Sequence, residues 1–290
     1  MHQHLRLKRM LQVSPPSRRA CLFLIVTVSF LLACGCSTLS TPEDEYQDWT
    51  DERFYNEAKE ALTNENYDRA IKLYENLETR FPFGRYAIQA QLDIAFAYYK
   101  FNEPDAALAA ADRFIKLHPR NPYVDYAYYL KGLINYNRSI GFLERFIPTD
   151  SSQRDPGAAL EAFKDFQLLI DKFPNSRYNS DARQRMVSLR NNLAMNEIHV
   201  ARYYMKRRAY VAAADRGVYV VEKFQQTPAV PFALKIMEAA YKKMAMDDLA
   251  ADAARVFELN YANGIPNTEF SEVRDTSIGE DVWDFIGLDD

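Results

Sequence analysis

Few side chains in this sequence are placed to react. Its three cysteines, Cys21, Cys34 and Cys36, all lie near the front, so none is left in the body for a disulfide or a thiolate metal site. His2 and His4 share that front segment, and the remaining pair, His118 and His199, are isolated from each other. Two such histidines make neither a catalytic triad nor a metal centre. No phosphate-binding P-loop and no dinucleotide fingerprint is present. A glycosidase would need two carboxylates converging in a cleft, and nothing in the pattern of the 40 acidic residues singles out a pair. The expectation is a protein that is not an enzyme, with no metal and no cofactor.

The charge balance points the same way. The first 33 residues carry five cations and no acidic residue, which leaves 31 basic against 40 acidic side chains and a net charge of about −9 in the remainder. Nucleic acid is excluded as a partner, because phosphate contacts need a basic face.

The cysteines nevertheless have a use. Ala20–Ala33 is a run of fourteen apolar or small residues behind a basic segment. That is short of the roughly 20 residues that span hydrocarbon, and it fits a secretory signal; Met10 is an alternative start. The run ends in LLACGCS, with a small residue before cysteine and leucine three positions upstream. This resembles the lipobox of bacterial lipoproteins, which implies cleavage before the cysteine and acylation of it. Cys34 has Leu31 and Ala33 in those positions and is preferred; Cys36, with Ala33 and Gly35, is the alternative. Several acyl chains hold where one lets go. No aspartate follows either cysteine, which in Gram-negative lipoproteins implies onward export to the outer membrane. The polar stretch after it reads as a tether in the periplasm.

The elements that must stand on that anchor are read from a repeated phrase. Arg80–Ala90 is RFPFGRYAIQA and Lys172–Ala182 is KFPNSRYNSDA, in a chain with only nine glycines among 290 residues. Upstream of Pro82, the residues Ala70, Ile71, Tyr74 and Leu77 recur at helical spacing, and Phe54, Ala58, Ala61 and Leu62 do so before them. Thr50 is a candidate N-cap. The frame Ala70, Tyr74, Leu77, Pro82 returns as Ala107, Ala111, Phe114, Pro119 and as Ala162, Phe166, Leu169, Pro174. Weaker copies are Ala213, Gly217, Val220, Gln225 and Ala250, Ala254, Phe257, Ala262. Alanine permits close helix crossing, and proline ends the second helix of each unit. These positions resemble the tetratricopeptide repeat.

The expected fold class is therefore all-α, an α-solenoid of about five tetratricopeptide-like helical hairpins. Residues 1–33 form the signal peptide, 34–49 the tether, 50–262 the solenoid and 263–290 an acidic tail. The units run over about 51–82, 86–119, 123–174 (with a loop insertion at 139–156), 178–225 and 230–262. The fourth interval leaves room for one additional helix around Ser180–Ala194. In the tail, from Thr268 on, eight acidic residues stand against Arg274, with Trp283, Phe285, Ile286 and Leu288 among them. Such a tail suits either docking on a basic surface or solvation.

RFPFGRYAIQAQLDIAFAYYK, DRFIKLHPRNP and RDPGAALEAFKDFQLLIDKFPNSRY, taken with the lipobox, resemble the BamD (ComL) family. Those lipoproteins belong to the machinery that folds β-barrels into the outer membrane. The likeness covers about Asp51 to Asn260. It implies a scaffold that binds a barrel-assembly protein with periplasmic repeats, companion lipoproteins, and the C-terminal signal strands of unfolded outer membrane proteins. A family arginine that pairs with a glutamate of the barrel partner corresponds to Arg216. The tetratricopeptide register puts Tyr55, Lys59, Gln89, Asp93, Phe96, Lys100, Tyr126, Tyr129 and Leu133 on a concave groove expected to receive the signal strand. The alternative is a tetratricopeptide lipoprotein serving pilus biogenesis or envelope division. A lytic enzyme built on a solenoid would need more than the 28 residues after Ala262.

Overall fold

Two kinds of turn, each repeated, fix where the helices stop. A computed structural model describes residues 45–140, 152 and 154–262. The signal segment, Cys34 and Cys36, most of the tether, most of the third-unit insertion and the acidic tail lie outside the described residues. The chain divides between Trp49 and Thr50. In the first part the rings of Tyr46 and Trp49 meet edge to face at 4.9 Å across a turn, and every described helix belongs to the second.

Among the described residues there are ten α-helices and no strand. They are α1 (Asp51–Thr63), α2 (Tyr67–Arg80), α3 (Ala87–Lys100), α4 (Pro104–Leu117), α5 (Val124–Ile140), α6 (Gly157–Lys172), α7 (Asn179–Lys206), α8 (Tyr210–Lys223), α9 (Val230–Lys243) and α10 (Asp247–Tyr261). Successive helices pack as hairpins, each second helix lies on the next first helix, and the first helices α3, α5, α7 and α9 also touch in sequence. This is the packing of a tetratricopeptide-like solenoid. Thr50 does cap α1, its hydroxyl accepting from the Arg53 N–H at 3.2 Å.

Inside the hairpins, Glu65, Asn102, Arg208 and Ala245 stand at φ of 59°, 64°, 59° and 56°. Each following N–H donates to a carbonyl five residues back, as in Asn66 to Ala61 at 2.8 Å and Met246 to Tyr241 at 3.0 Å. That is a helix end which usually employs glycine; here side-chain-bearing residues take the left-handed position.

Between hairpins the backbone repeats four times. The N–H groups of Phe81, His118, Phe173 and Phe224 close the last helical turn on Leu77, Phe114, Leu169 and Val220, and their ψ values of 41° to 70° then leave the helix. Two short turns follow, such as Gly84 to Phe81 at 2.9 Å and Ser176 to Phe173 at 2.9 Å. The repeat alanines Ala70, Ala107, Ala162 and Ala213 are fully buried, and Ala250 is 3% exposed. Close crossing is clearest at Gly132, where a Cβ would come within 2.4 Å of the Phe166 ring.

One element differs from expectation. Residues 180–194 do not form a separate helix; they are the first half of α7, a single 28-residue helix. No proline or glycine occurs between Asn179 and Lys206 to break it.

Ala245→Gly is expected to raise stability by roughly 0.5–1 kcal/mol by relieving the left-handed strain. Gly132→Ala is expected to lower it by about 1–3 kcal/mol, since buried Phe166 has nowhere to move. Denaturant unfolding of the two variants checks both signs.

Candidate functional site

The repeated phrase builds the same side-chain assembly twice. Arg80 lies over the Phe54 ring at 5.5 Å while Phe81 packs beside Phe54 at 6.2 Å. In the second copy Lys172 lies over Tyr128 at 5.1 Å and Phe173 packs beside it at 5.4 Å. Arg85 covers Tyr86 at 5.5 Å and Arg177 covers Tyr178 at 5.6 Å. Both tyrosines then stack on the first helix of the hairpin before: Tyr86 on Tyr55 at 4.8 Å, and Tyr178 on Tyr129 at 4.7 Å. Aromatic pairs of this kind contribute about 0.5–1.5 kcal/mol beyond the area they bury.

Beneath each stack a carboxylate accepts the tyrosine's hydrogen bond. Tyr55 donates to Asp93 at 3.2 Å, Tyr74 to the same oxygen at 3.4 Å, and Gln89 to the other at 2.6 Å. Burial pushes the Asp93 carboxyl up to about 6, against those three hydrogen bonds and the field of Lys59. Tyr74 is pushed well up in turn, first by burial and then by Asp93. In the second copy Tyr129 donates to Asp181 at 2.6 Å, and buried Arg185 donates to the same oxygen at 2.6 Å. Arg185 also lies 4.8 Å over the Tyr136 ring. Buried Asp93 thus has hydrogen bonds and the field of Lys59, whereas half-buried Asp181 has a full ion pair.

The groove expectation has to be narrowed. Asp93, Phe96, Tyr126, Tyr129 and Leu133 are all 5% exposed or less. They form a layer under the surface, because α3 and α5 are clamped between second helices on one side and each other on the other. Tyr55, Lys59, Gln89 and Lys100 remain half-exposed, with the Lys100 ammonium 5.9 Å above the Phe96 ring. So α1 and α3 offer a polar rim, and α3 and α5 an aromatic floor that is closed.

Arg216 sits on α8, with a side chain 43% exposed, and its guanidinium donates to Glu197 of α7 at 2.9 Å. That bond holds its proton more tightly than usual. Exposed pairs contribute only about 0–1 kcal/mol, so Glu197 is an exchangeable partner. His199 is engaged by Ser152 at 3.0 Å, and Asn196 bonds the Ser152 and Arg154 carbonyls at 2.7 and 3.0 Å. One end of the insertion is therefore pinned to α7. Among the described residues no three histidine, cysteine or acidic side chains gather as a metal site, and no helix is long and apolar enough to cross a membrane.

A family profile, YfiO, described as outer membrane lipoprotein, matches residues 47–256. The chain belongs to this family. It is similar to the outer membrane protein assembly factor BamD of Neisseria meningitidis serogroup B, with 49% identity over 242 residues, 82% of this chain and 91% of that one. BamD of Xylella fastidiosa is 34% identical over 239 residues, covering 82% and 81% of the two chains. BamD of Vibrio cholerae is 34% identical over 238 residues, covering 81% and 98%. The family read from RFPFGRY and its partner blocks is therefore the right one.

Sequence reasoning missed Tyr86 and Tyr178 as stacking residues, although the repeated Arg-Tyr was the signal. It also missed Asp181 with Arg185, whose spacing of four on a helix marks an ion pair.

The Asp93 carboxyl titrates near 6 when folded and near 3.8 when not, so the folded state binds the extra proton between those values. Its contribution to stability falls as pH rises from about 4 to 6 and is flat above. Asp93→Asn is expected to gain on the unmodified protein by on the order of 2–3 kcal/mol across that window. Urea unfolding at pH 4.5 and 7.5 measures the gap; a constant gap would contradict the assignment.

Proposed function

We propose that this chain is a non-enzymatic scaffold of the outer membrane β-barrel assembly machinery. It is held at the periplasmic face of the outer membrane by acyl chains on Cys34 or Cys36. The observation that carries the reading is the likeness to BamD assembly factors over more than four-fifths of the chain, joined to a stack whose polar surfaces lie over a sealed core. A closed aromatic layer gives stiffness, and a stiff solenoid presents contacts at fixed spacing to large guests. The scaffold binds at its two ends and catalyses nothing.

At the C-terminal end, Arg216 releases Glu197 and pairs with a carboxylate of the barrel-assembly protein. The exchange costs little, since one half-exposed pair replaces another, and the planar guanidinium suits either acceptor. Companion lipoproteins bind the same half. At the N-terminal end, signal strands of unfolded outer membrane proteins lie along α1 and α3. There Tyr55 and Gln89 offer polar edges, and Lys59 and Lys100 attract the strand's terminal carboxylate. Phe96, Tyr126, Tyr129 and Leu133 support that surface from below without touching the guest.

Affinity purification of the intact lipoprotein from membranes is expected to bring along a large β-barrel protein with periplasmic repeats. Arg216→Glu should lose most of it while unfolding at an unchanged temperature, and full recovery of the partner would remove Arg216 from the contact. Lys59→Gln combined with Lys100→Gln should weaken photocrosslinking to a C-terminal signal peptide several-fold while circular dichroism stays helical. Equal crosslinking would move the strand elsewhere.

A further inference from the structure

Between the last half of α7 and α9 lies a cleft of about 350 Å³. Met205, Phe232 and Ile236 line it with apolar surface, and Arg202, Lys206 and Lys235 stand around it. Arg202 rests 5.5 Å over the Phe232 ring, and neither Arg202 nor Lys206 has a carboxylate partner among the described residues. From His199 to the end of α7 and along α9 the sequence holds Arg202, Lys206, Lys235, Lys242 and Lys243 against one acid, Glu238. Glu238 is already shared by Lys235 at 3.1 Å and Lys242 at 2.6 Å. In a body that is acidic overall, this is a concentrated positive wall around an apolar slot. The volume is at the small end for a ligand site, enough for one large aromatic with an aliphatic neighbour.

The chain carries a segment with the complementary chemistry. Glu280–Asp290, EDVWDFIGLDD, has five carboxylates, no cation, and Val282, Trp283, Phe285, Ile286 and Leu288 between them. Its point of departure is also beside the cleft. The Lys235 ammonium sits 4.1 Å above the ring of Phe257, and Phe257 packs on Tyr261 at 5.5 Å, at the end of α10. Trp283 follows Tyr261 by 22 residues, a reach of up to about 70 Å. A segment attached so close is presented at roughly millimolar concentration, so weak contacts suffice.

One nearer apolar surface competes. Leu249, Val256 and Leu259 of α10 are 46%, 37% and 74% exposed. However, α10 carries Asp247, Asp248, Asp252 and Glu258 against Arg255 alone, which repels an acidic segment. Charge thus selects the cleft.

We propose that the cleft between α7 and α9 is the docking site of this chain's own Glu280–Asp290 segment, with Trp283 in the slot and its flanking carboxylates on Arg202 and Lys206. A guest of similar chemistry then has to displace the tail to enter.

The test uses the full-length lipoprotein in neutral detergent with Trp49→Phe, which leaves Trp283 as the one indole of the two in the sequence. Its emission is expected to be blue-shifted, shielded from acrylamide and independent of protein concentration. Arg202→Glu with Lys206→Glu, both on exposed positions, should abolish the shift and the shielding while circular dichroism stays helical. Solvent-like emission in the parent overturns the proposal. So does a blue shift that survives the charge reversal, which assigns the indole to the micelle or to α10. A shift that grows with concentration overturns docking within one chain in favour of a second copy.

Discussion

The stack rests on a single constraint: an amphipathic hairpin this short cannot hide both of its apolar faces, so each must be locked to the next at a defined angle. At two of the four junctions the lock is a tyrosine at the entry of α3 or α7 lying flat on a tyrosine of the preceding hairpin, 4.8 Å apart in one place and 4.7 Å in the other. Parallel rings fix rotation as well as distance, which general apolar contact does not. The proline of the same phrase supplies the sharp stop that lets the tyrosine arrive there. Cations at its two ends lie over aromatic faces. The result is economical in sequence: one phrase of seven residues ends a helix, turns the chain and registers the neighbour.

Placing a carboxylate under each lock, buried at Asp93 and half-buried at Asp181, looks wasteful, and the two copies resolve the cost differently. Asp93 is held by three hydrogen bonds and no buried cation, so its charge is only partly compensated and its proton affinity rises. Asp181 has Arg185 beside it on the same helix face. A buried pair is seldom a net gain over apolar packing, but removing one member of it is costly. Both arrangements tie the tyrosine hydroxyl that the lock would leave unsatisfied, as at Tyr129. Some stability is therefore exchanged for a unique register between hairpins.

How much of this is legible in the sequence depends on what carries each feature. Helix faces, the burial of Ala70, Ala107, Ala162 and Ala213, and the N-cap at Thr50 follow from local spacing, and the sequence alone suffices for them. A separate helix within 180–194 is the wrong expectation because an interval length says how many residues there are and not whether a turn divides them. The absence of any breaker from Asn179 to Lys206 is the better guide. The groove expectation narrows for a different reason. The tetratricopeptide register identifies which helix a residue is on, and Phe96, Tyr126 and Tyr129 are indeed on first helices. Yet in this chain the first helices touch each other, and that tertiary contact seals residues the register alone would leave open. The pairing of Arg216 and the cleft cations lie beyond sequence for a related reason, since Glu197 meets Arg216 only when α7 and α8 fold back on each other.

Buried and exposed polar groups of the solenoid differ in how freely they can change partner. In the N-terminal half the network around Asp93 lies under the surface, where moving a member disturbs a lock, while exposed pairs such as Arg69 with Glu57 and Lys72 with Asp68 lie outside it. In the C-terminal half the charges sit on exposed positions and hold weak pairs: Arg216 with Glu197 at 43% exposure, Lys235 and Lys242 sharing Glu238. Second helices also leave single apolar residues in water, Leu117, Leu160 and Val211 among them, and in the fifth copy Leu259 is 74% exposed. Among the described residues no further helix follows to cover that face. Weak surface pairs can be traded for new ones at small cost in stability, whereas a lock cannot, so the fold separates rigid junctions from exchangeable surface groups along its whole length.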